Sequence, residues 1–289
     1  MNRVQQQGLI FGVVAILISL GSALSPSVEP LTSLLLVATL IFFLGVPHGA
    51  LDPCFAQKEL AVKGWQAWVL FVGIYLGLAG GVVIIWWQAP LVFMISFLII
   101  SILHFSRDLA LATAKITTLL YGGSVIVLPA LFHFSEMLEL FSLIVNAENA
   151  QTIVGALHAL AWPWVVALAI SLCFEVNKNW RVCFEIFSVS LLALVVEPLI
   201  AFTIYFCGMH SLRHILRTQQ YVNLPLRRLL GTCLLPMLGV SILVTLGWLY
   251  LPASSYDSRI LQFVFVTLAA LTVPHMLLVD RARYLLDIR

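Results

Sequence analysis

Apolar residues occur along this chain in runs that are each about as long as a membrane-spanning helix, separated by short polar stretches. A helix needs roughly 20 mostly apolar residues to cross the hydrocarbon core of a bilayer. The pattern predicts ten spans, with eight or nine also compatible, at residues 8–24, 31–48, 65–87, 90–106, 115–132, 152–174, 182–196, 199–216, 229–250 and 260–279. Because no polar stretch is long enough to fold separately, residues 1–289 are predicted to form a single all-α integral membrane domain, a polytopic helix bundle.

The segment from Arg181 to Leu216 can be interpreted as one long run or as two helices that break at Glu197-Pro198. Cytoplasmic loops of membrane proteins carry an excess of Lys and Arg. With the break, the basic connections all fall on one side, and the other side receives connections with almost no Lys or Arg: Ser25–Pro30, Gln88–Pro90, His133–Ala150, Glu197 and Leu251–Ser258. This topology predicts that both termini are cytoplasmic and that the chain is a multi-pass protein of the cell inner membrane.

Composition agrees with a membrane protein and excludes several other classes. Hydrophobic residues make up 62% of the chain and charged residues only 10%, against about 25% charged in soluble domains. The net charge of +2 implies no nucleic-acid surface, and the five cysteines are too scattered for a zinc or disulfide framework. The start, Met1–Leu24, could be a signal peptide, but a second apolar run follows at once and no firm cleavage site is present.

Histidine is the residue that points to chemistry. Five of the seven lie toward the cytoplasmic ends of the second, fourth, eighth and tenth predicted spans: His48, His104, His210, His214 and His275. The other two, His133 and His158, are placed on the opposite side. Burying several imidazoles among apolar helices is costly without a partner, so a bound metal is the favoured explanation.

The strongest local motif is His210-Ser211-Leu212-Arg213-His214, which places two imidazoles four residues apart on one helix face. Both can reach a single ion from that face. The alternative is a pair of polar residues hydrogen-bonded between helices.

Two further histidines are each followed by an aspartate four residues later: His48 by Asp52, and His104 by Asp108. A carboxylate at this spacing could orient a ligand imidazole by accepting its second N–H. The aspartates could equally pair with nearby arginines at the membrane surface.

Val273-Pro274-His275 repeats Val46-Pro47-His48 and is also followed by an aspartate, Asp280. Proline removes a backbone donor inside a helix, so a bend beside each histidine is predicted. Metal ligand, hydrogen-bond partner of a ligand and core residue all remain open for His275.

The remaining histidines are expected to have structural roles. His133 begins a segment with Glu136, Glu139 and Glu148, where a second metal site is conceivable but a solvated loop is favoured. His158 is expected to be a hydrogen-bonded packing residue or to face the membrane interface.

Neutral imidazoles suit iron, zinc and copper, so the ligand type alone does not identify the metal. A four-histidine set would keep the full charge of ferrous iron and could leave positions open for dioxygen. A zinc hydrolase is less favoured because no general base stands beside the histidine pair. The alternatives are another histidine-ligated membrane metalloenzyme, of the hydroxylase or desaturase kind, and a non-enzymatic ion or proton transporter.

Together, the segments Pro47–Asp52, His104–Asp108, His210–His214 and Pro274–Met276 resemble the Brp/Blh family of membrane β-carotene 15,15′-dioxygenases. The resemblance implies an Fe(II) enzyme that cleaves β-carotene at its central double bond with dioxygen and gives two all-trans-retinal. Carried over by motif, the iron ligands are His48, His104, His210 and His214, whereas His275 matches a family histidine of open role. Delivery of retinal to a rhodopsin partner is a further possibility, and membrane lipid is the expected surrounding.

The substrate is expected to lie in an apolar tunnel near these ligands. Candidate lining residues, for which ordinary helix packing is the alternative, are Phe105, Tyr205, Phe206, Met209 and Met276. An extended carotene is comparable in length to the hydrocarbon core, roughly 30 Å, whereas the predicted ligands lie near helix ends. Central cleavage therefore predicts a polyene that is bent or lies sideways across the bundle.

Overall fold

The computed structural model describes residues 2–22, 30–109, 113–250 and 255–287, with side chains throughout except at residues 30, 31, 250 and 282–287. Every regular element in these ranges is helical. The α-helices are α1 (Arg3–Ser22), α2 (Pro30–Leu40), α3 (Asp52–Glu59), α4 (Gly64–Gln88), α5 (Pro90–Phe105), α6 (Lys115–Val127), α7 (Phe134–Ile144), α8 (Ala147–Glu175), α9 (Trp180–Val195), α10 (Pro198–Ile204), α11 (Leu212–Val222), α12 (Leu226–Tyr250) and α13 (Tyr256–Asp287).

Each of the ten predicted spans coincides with a helix, which confirms an all-helical membrane fold. Among the described residues, eight helical stretches are long and apolar enough to cross a membrane, or nine if α6 and α7 together form one bent span. The helix α9 has only 16 residues and falls short of that length. The count is therefore slightly lower than ten.

The predicted break at Glu197-Pro198 is confirmed. Helix α9 ends at Val195, and α10 begins at Pro198. Proline is well suited to a first helical position, because the amide hydrogen it lacks would have no partner within the helix there.

The predicted loop at His133–Ala150 is wrong, because most of it is helix. After a 3-10 turn at Leu128–Leu131 the chain bends by 109° into α7, which buries Met137 and Ile144. Glutamates alternate with these apolar positions, so the segment was too polar to be recognised as a span, although its spacing is amphipathic. The predicted connections at Ser25–Pro30 and Leu251–Ser258 lie largely outside the described residues.

The outer surface of the bundle is apolar, whereas polar groups concentrate inside. Helix α4 buries none of its residues, and Val69, Leu70 and Ile74 are each more than half exposed. An apolar surface of this extent is typical of helices that face lipid. The exposed apolar side chains, as well as the hydropathy of the sequence, therefore indicate a bundle that lies in a membrane.

A glycine sets the distance between α5 and α6 near the histidines. A Cβ on Gly122 would collide with backbone atoms of Ile102 and Ser106, at the end of α5. Small residues of this kind let membrane helices approach closely. Gly122 thus fixes the position of the helix end that carries His104.

Candidate metal centre

Four helical stretches bring five imidazole rings together inside the bundle: those of His48, His104, His210, His214 and His275. The ring centroid of His48 lies 6.2 Å from that of His104, 5.0 Å from His210, 5.6 Å from His214 and 5.2 Å from His275. All are buried except His214, which is half-buried. Residues far apart in sequence therefore form one pocket, which we call the five-histidine pocket.

The backbone departs from α-helical winding at two of these histidines. His48 lies in a 3-10 turn (Val46–Leu51) that directly follows a π-helical segment (Ile41–Gly45). His210 lies in a second π-helical segment (Tyr205–Ser211). Such π segments occur frequently at functional sites. The predicted irregularity is present beside Pro47, whereas α13 stays α-helical through Pro274.

Three of the histidines are oriented by an acceptor at Nδ1. The partners are the carbonyl oxygen of Gly45 for His48 (2.6 Å), the Asp108 carboxylate for His210 (3.0 Å) and the Asp52 carboxylate for His275 (2.6 Å). A carbonyl or carboxylate oxygen accepts, so each Nδ1–H donates and the lone pair of a neutral ring lies on Nε2. These rings thus offer Nε2 as a ligand atom.

The two aspartates act across helices instead of within one. The sequence spacing predicted that Asp52 would serve His48 and that Asp108 would serve His104, or that both would pair with arginines. The structure instead gives Asp52 to His275 and Asp108 to His210. Each carboxylate thus contacts a histidine from a distant part of the chain, and not the histidine four residues before it.

The pocket is chemically suited to a cation. The Nε2 atoms of His104, His210 and His275 are buried and have no hydrogen-bond partner, which is costly in a dry interior. One ligand atom from each of His48, His104 and His275 lies within 4.8 Å of the others. In the part of the chain that is described, no other group of three ligand-bearing side chains meets this criterion.

His275 occupies a position that a ligand would occupy. The sequence left its role open and favoured the other four histidines as ligands. Its Nδ1 donates to a carboxylate and its Nε2 faces the pocket without a partner. Metal-bound histidines usually have this arrangement, with the second nitrogen held by a carboxylate or carbonyl.

Tyrosines hold the two carboxylates in turn. The hydroxyl of Tyr75 donates to Asp52, and that of Tyr205 donates to Asp108, each at 2.8 Å. Each aspartate therefore accepts from both a tyrosine and a histidine. The hydroxyl of Tyr205 thus bonds the carboxylate that orients His210, and its place in a tunnel stays a prediction.

A buried charged network behind the pocket was missed by the sequence analysis. Arg213, inside the His210–His214 motif, donates to both carboxylate oxygens of Glu185 (2.9 Å each), to the side chain of Gln7 (2.9 Å) and to the carbonyl of Asp108 (2.7 Å). Polar residues within apolar spans are themselves a signal of a buried partner. Gln7 and Glu185 could have been found on that ground.

Two predicted tunnel residues lie against the histidines. The ring of Phe105 is 4.9 Å from that of His210, and the ring of Phe206 stacks on His210 at 5.7 Å and contacts His48 at 5.3 Å. They form an apolar wall beside the Nε2 atoms.

The other two tunnel candidates differ. The sulfur of Met209 lies 3.6 Å from the side-chain amide of Gln7, so this residue faces α1. Met276 follows His275 directly and is half-buried, and its role stays a prediction.

The segment with His133 holds acidic groups that are mostly exposed to solvent. His133 lies 3.7 Å from Glu136, half of whose side chain is exposed. Burial raises the pKa of Glu197 nearby, and Glu136 and Glu139 raise it further, whereas His133 lowers it. The predicted solvation of this segment is thus correct even though the segment is helical.

His158 is hydrogen-bonded, as expected, but it is exposed on α8 and is therefore not a buried packing residue. Its Nδ1 bonds the carbonyl of Ala130 at 2.7 Å, and its ring contacts that of Phe134. These partners lie at the bend into α7, away from the end of α5 that carries His104.

Comparison with known proteins places this geometry in a family. A family model described as beta-carotene 15,15'-dioxygenase matches residues 39–282. A protein of that name from the uncultured marine bacterium 66A03 is 30% identical over 263 residues, covering 83% of this chain and 90% of its own length. A probable beta-carotene 15,15'-dioxygenase, Blh, from Halobacterium salinarum is 27% identical over 209 residues, covering 63% and 60% respectively. No solved structure matches the chain.

Proposed function

The chain belongs to the beta-carotene 15,15'-dioxygenase family, and we propose that it binds iron(II) in the five-histidine pocket and cleaves β-carotene at the central double bond with dioxygen. The products would be two molecules of all-trans-retinal, each taking one oxygen atom. The observation that supports this most directly is that one ligand atom from each of His48, His104 and His275 lies within 4.8 Å of the others. His210 and His214 are not in that group, but the Nε2 atom of His210 is buried beside it without a hydrogen-bond partner.

The proposed ligands are His48, His104, His210 and His214, with His275 added because of its geometry. Imidazoles in the neutral form add no charge to the metal, so bound iron would keep its positive charge in a dry site. When bound, iron(II) would supply the redox chemistry that allows dioxygen to react with a polyene. Asp52 and Asp108 would fix the orientation of the ligands on their side of the pocket.

The proposed task of the protein is to position the substrate and to exclude water from the site. Phe105 and Phe206 are buried against the histidine rings and keep this side of the site apolar. Holding the central double bond against the pocket converts an encounter of separate reactants into a reaction within one complex. The buried setting excludes water from the reacting atoms.

The deciding experiment is expression in β-carotene-producing bacteria, with chromatography for retinal, and measurement of iron and oxygen uptake on the purified protein. We expect loss of colour, accumulation of retinal and about one iron per chain. Hydroxylated or desaturated carotenoids would indicate another metalloenzyme. Absence of oxygen consumption would favour a transporter.

Single histidine substitutions test the site. Replacing His48, His104, His210 or His214 by Ala is expected to abolish cleavage and to lower bound iron, because each removes a ligand, and His275→Ala is expected to lower bound iron as well. The controls are His133→Ala and His158→Ala, which should keep iron and most of the activity. Full activity in His210→Ala or His214→Ala protein would rule out this site.

We also propose the cell inner membrane as the location, with both termini in the cytoplasm and retinal passed on to a rhodopsin partner. The Lys and Arg distribution supports the orientation. Labelling of single cysteines introduced at Arg3 and at Ser135 with a membrane-impermeant reagent on intact cells is the test. Only the second should react.

A further inference from the structure

An apolar cavity of about 70 Å³ lies between α5, α6, α7, α10 and α13. Its lining is almost wholly hydrocarbon and includes Met94, Phe97, Met137, Ile144 and Phe202. Apolar cavities of this kind remain dry and accept apolar ligands. Its methionines are flexible side chains that adapt readily to a guest.

The cavity begins next to the five-histidine pocket. Ser101, which lines it, lies one turn before His104 on α5. Phe202, which also lines it, stacks on Phe206 at 5.5 Å, and Phe206 in turn stacks on His210. A continuous series of aromatic faces thus connects the histidines with the cavity.

The far end of the cavity is closed by α7. Met137 and Ile144 contribute its lining there, and the end of α7 is fixed by Trp86, which donates to the carbonyl of Ile144 at 3.0 Å. Gln262 also donates to the carbonyl of Leu143, at 2.9 Å. The floor of the cavity is therefore anchored to α4 and α13.

The lining of the cavity extends along α5 over about the length of half a carotene, and the flexible side chains of Met94 and Met137 would have to move aside for a chain to enter. Met94 lies ten residues before His104 on α5, which at a rise of 1.5 Å per residue is about 15 Å. Half of a polyene comparable in length to the hydrocarbon core, roughly 30 Å, has the same extent. A chain with one end at α7 would therefore present its middle to the histidines.

We propose that this cavity binds one half of the polyene, with its end ring against α7, and that it thereby selects the bond to be cleaved by measuring from the chain end. This rests on the proposed function. The half in the cavity lies along the helix axes. Because the histidines lie near the ends of their helices, the second half has to turn away there, and the bound polyene is therefore bent.

The test uses one variant that shortens the cavity, Met94→Trp, and one that lengthens it, Phe141→Ala. Met94→Trp fills the end, and the matched control is Ile95→Trp, at a neighbouring position that is 42% exposed on the outer face. Met94→Trp is expected to lower β-carotene turnover by about tenfold or more, as crowding of a packed site does. Turnover of an apocarotenal that lacks one end ring should fall much less, because its shorter half still fits. Iron content should be unchanged.

Phe141 on α7 is half-buried and lines the end of the cavity. Phe141→Ala removes bulk there and provides a second test if Met94→Trp does not fold. A deeper floor lets the chain slide, so aldehydes of unequal length should appear beside retinal. The proposal is overturned if wild-type protein makes retinal and both variants match it in rate and products, or if Ile95→Trp is impaired equally. Absence of retinal from wild-type protein would instead contradict the proposed function.

Discussion

At the scale of single residues, the pocket depends on which nitrogen of each imidazole carries hydrogen. Asp52 and Asp108 fix this for His275 and His210, and each carboxylate also accepts from a tyrosine. An unheld imidazole would rotate and alternate between tautomers. The carboxylates would therefore affect the affinity of the pocket for a metal through the histidines that they orient.

Removal of either carboxylate is expected to weaken iron binding. Asp52→Ala and Asp108→Ala should each cost about 10- to 100-fold in iron affinity, because the ligand ring loses its orienting acceptor. Titration of metal-free protein with iron(II) measures this. Asp257→Ala, at an exposed position on α13, is the control, and affinities equal to wild type in both test variants would refute the role.

At the scale of helices, the pocket is set by local departures from α-helical winding and by close helix contacts. The π-helical segments before His48 and around His210 turn these side chains relative to their helices. Gly122 lets α6 approach the end of α5. The π-helical segments and the glycine contact therefore position the histidines, and hydropathy predicts neither feature.

Gly122→Ala tests the helix contact. The added methyl group would meet backbone atoms of α5, which cannot rotate away, so we expect a loss of about 1–3 kcal/mol in the free energy of unfolding together with lower iron content. Thermal unfolding in detergent and metal analysis measure the two effects. In Gly155→Ala an added Cβ meets nothing within 4 Å, so equal effects in both variants would contradict this contact.

At the scale of the whole molecule, Arg213 connects three parts of the bundle. It pairs with Glu185 on α9, Gln7 on α1 and the carbonyl of Asp108 after α5. Removing one partner of a buried ion pair leaves an uncompensated charge, which is far more costly than never burying it.

Glu185→Gln is expected to destabilise the bundle by about 3–5 kcal/mol, measured by denaturation in detergent. The pair Arg107–Asp280 has side chains that are 22% and 45% exposed, so Asp280→Asn should cost about 0–1 kcal/mol. A Glu185→Gln variant as stable as the Asp280→Asn variant would show that the buried ion pair does not stabilise the bundle.

The sequence by itself determined the long apolar helices and the histidines that come together inside the bundle. Long apolar runs are expected to be helical in lipid, since a helix satisfies its backbone hydrogen bonds within a single segment. The break at Glu197-Pro198 and the clustering of five histidines followed from the same reasoning. The helix α7 did not, because its burial depends on the helices packed against it, such as α4 and α13, and not on its own hydropathy.

Only the tertiary structure decided which groups meet. A carboxylate four residues from a histidine appeared to be its partner, yet Asp52 holds His275 and Asp108 holds His210. Sequence spacing fixes distances along one helix, whereas distances between helices depend on crossing angles, glycine contacts and π-helical turns. For that reason the carboxylate partner of His275, the network around Arg213 and the cavity beside α7 became visible only when the helices were packed together.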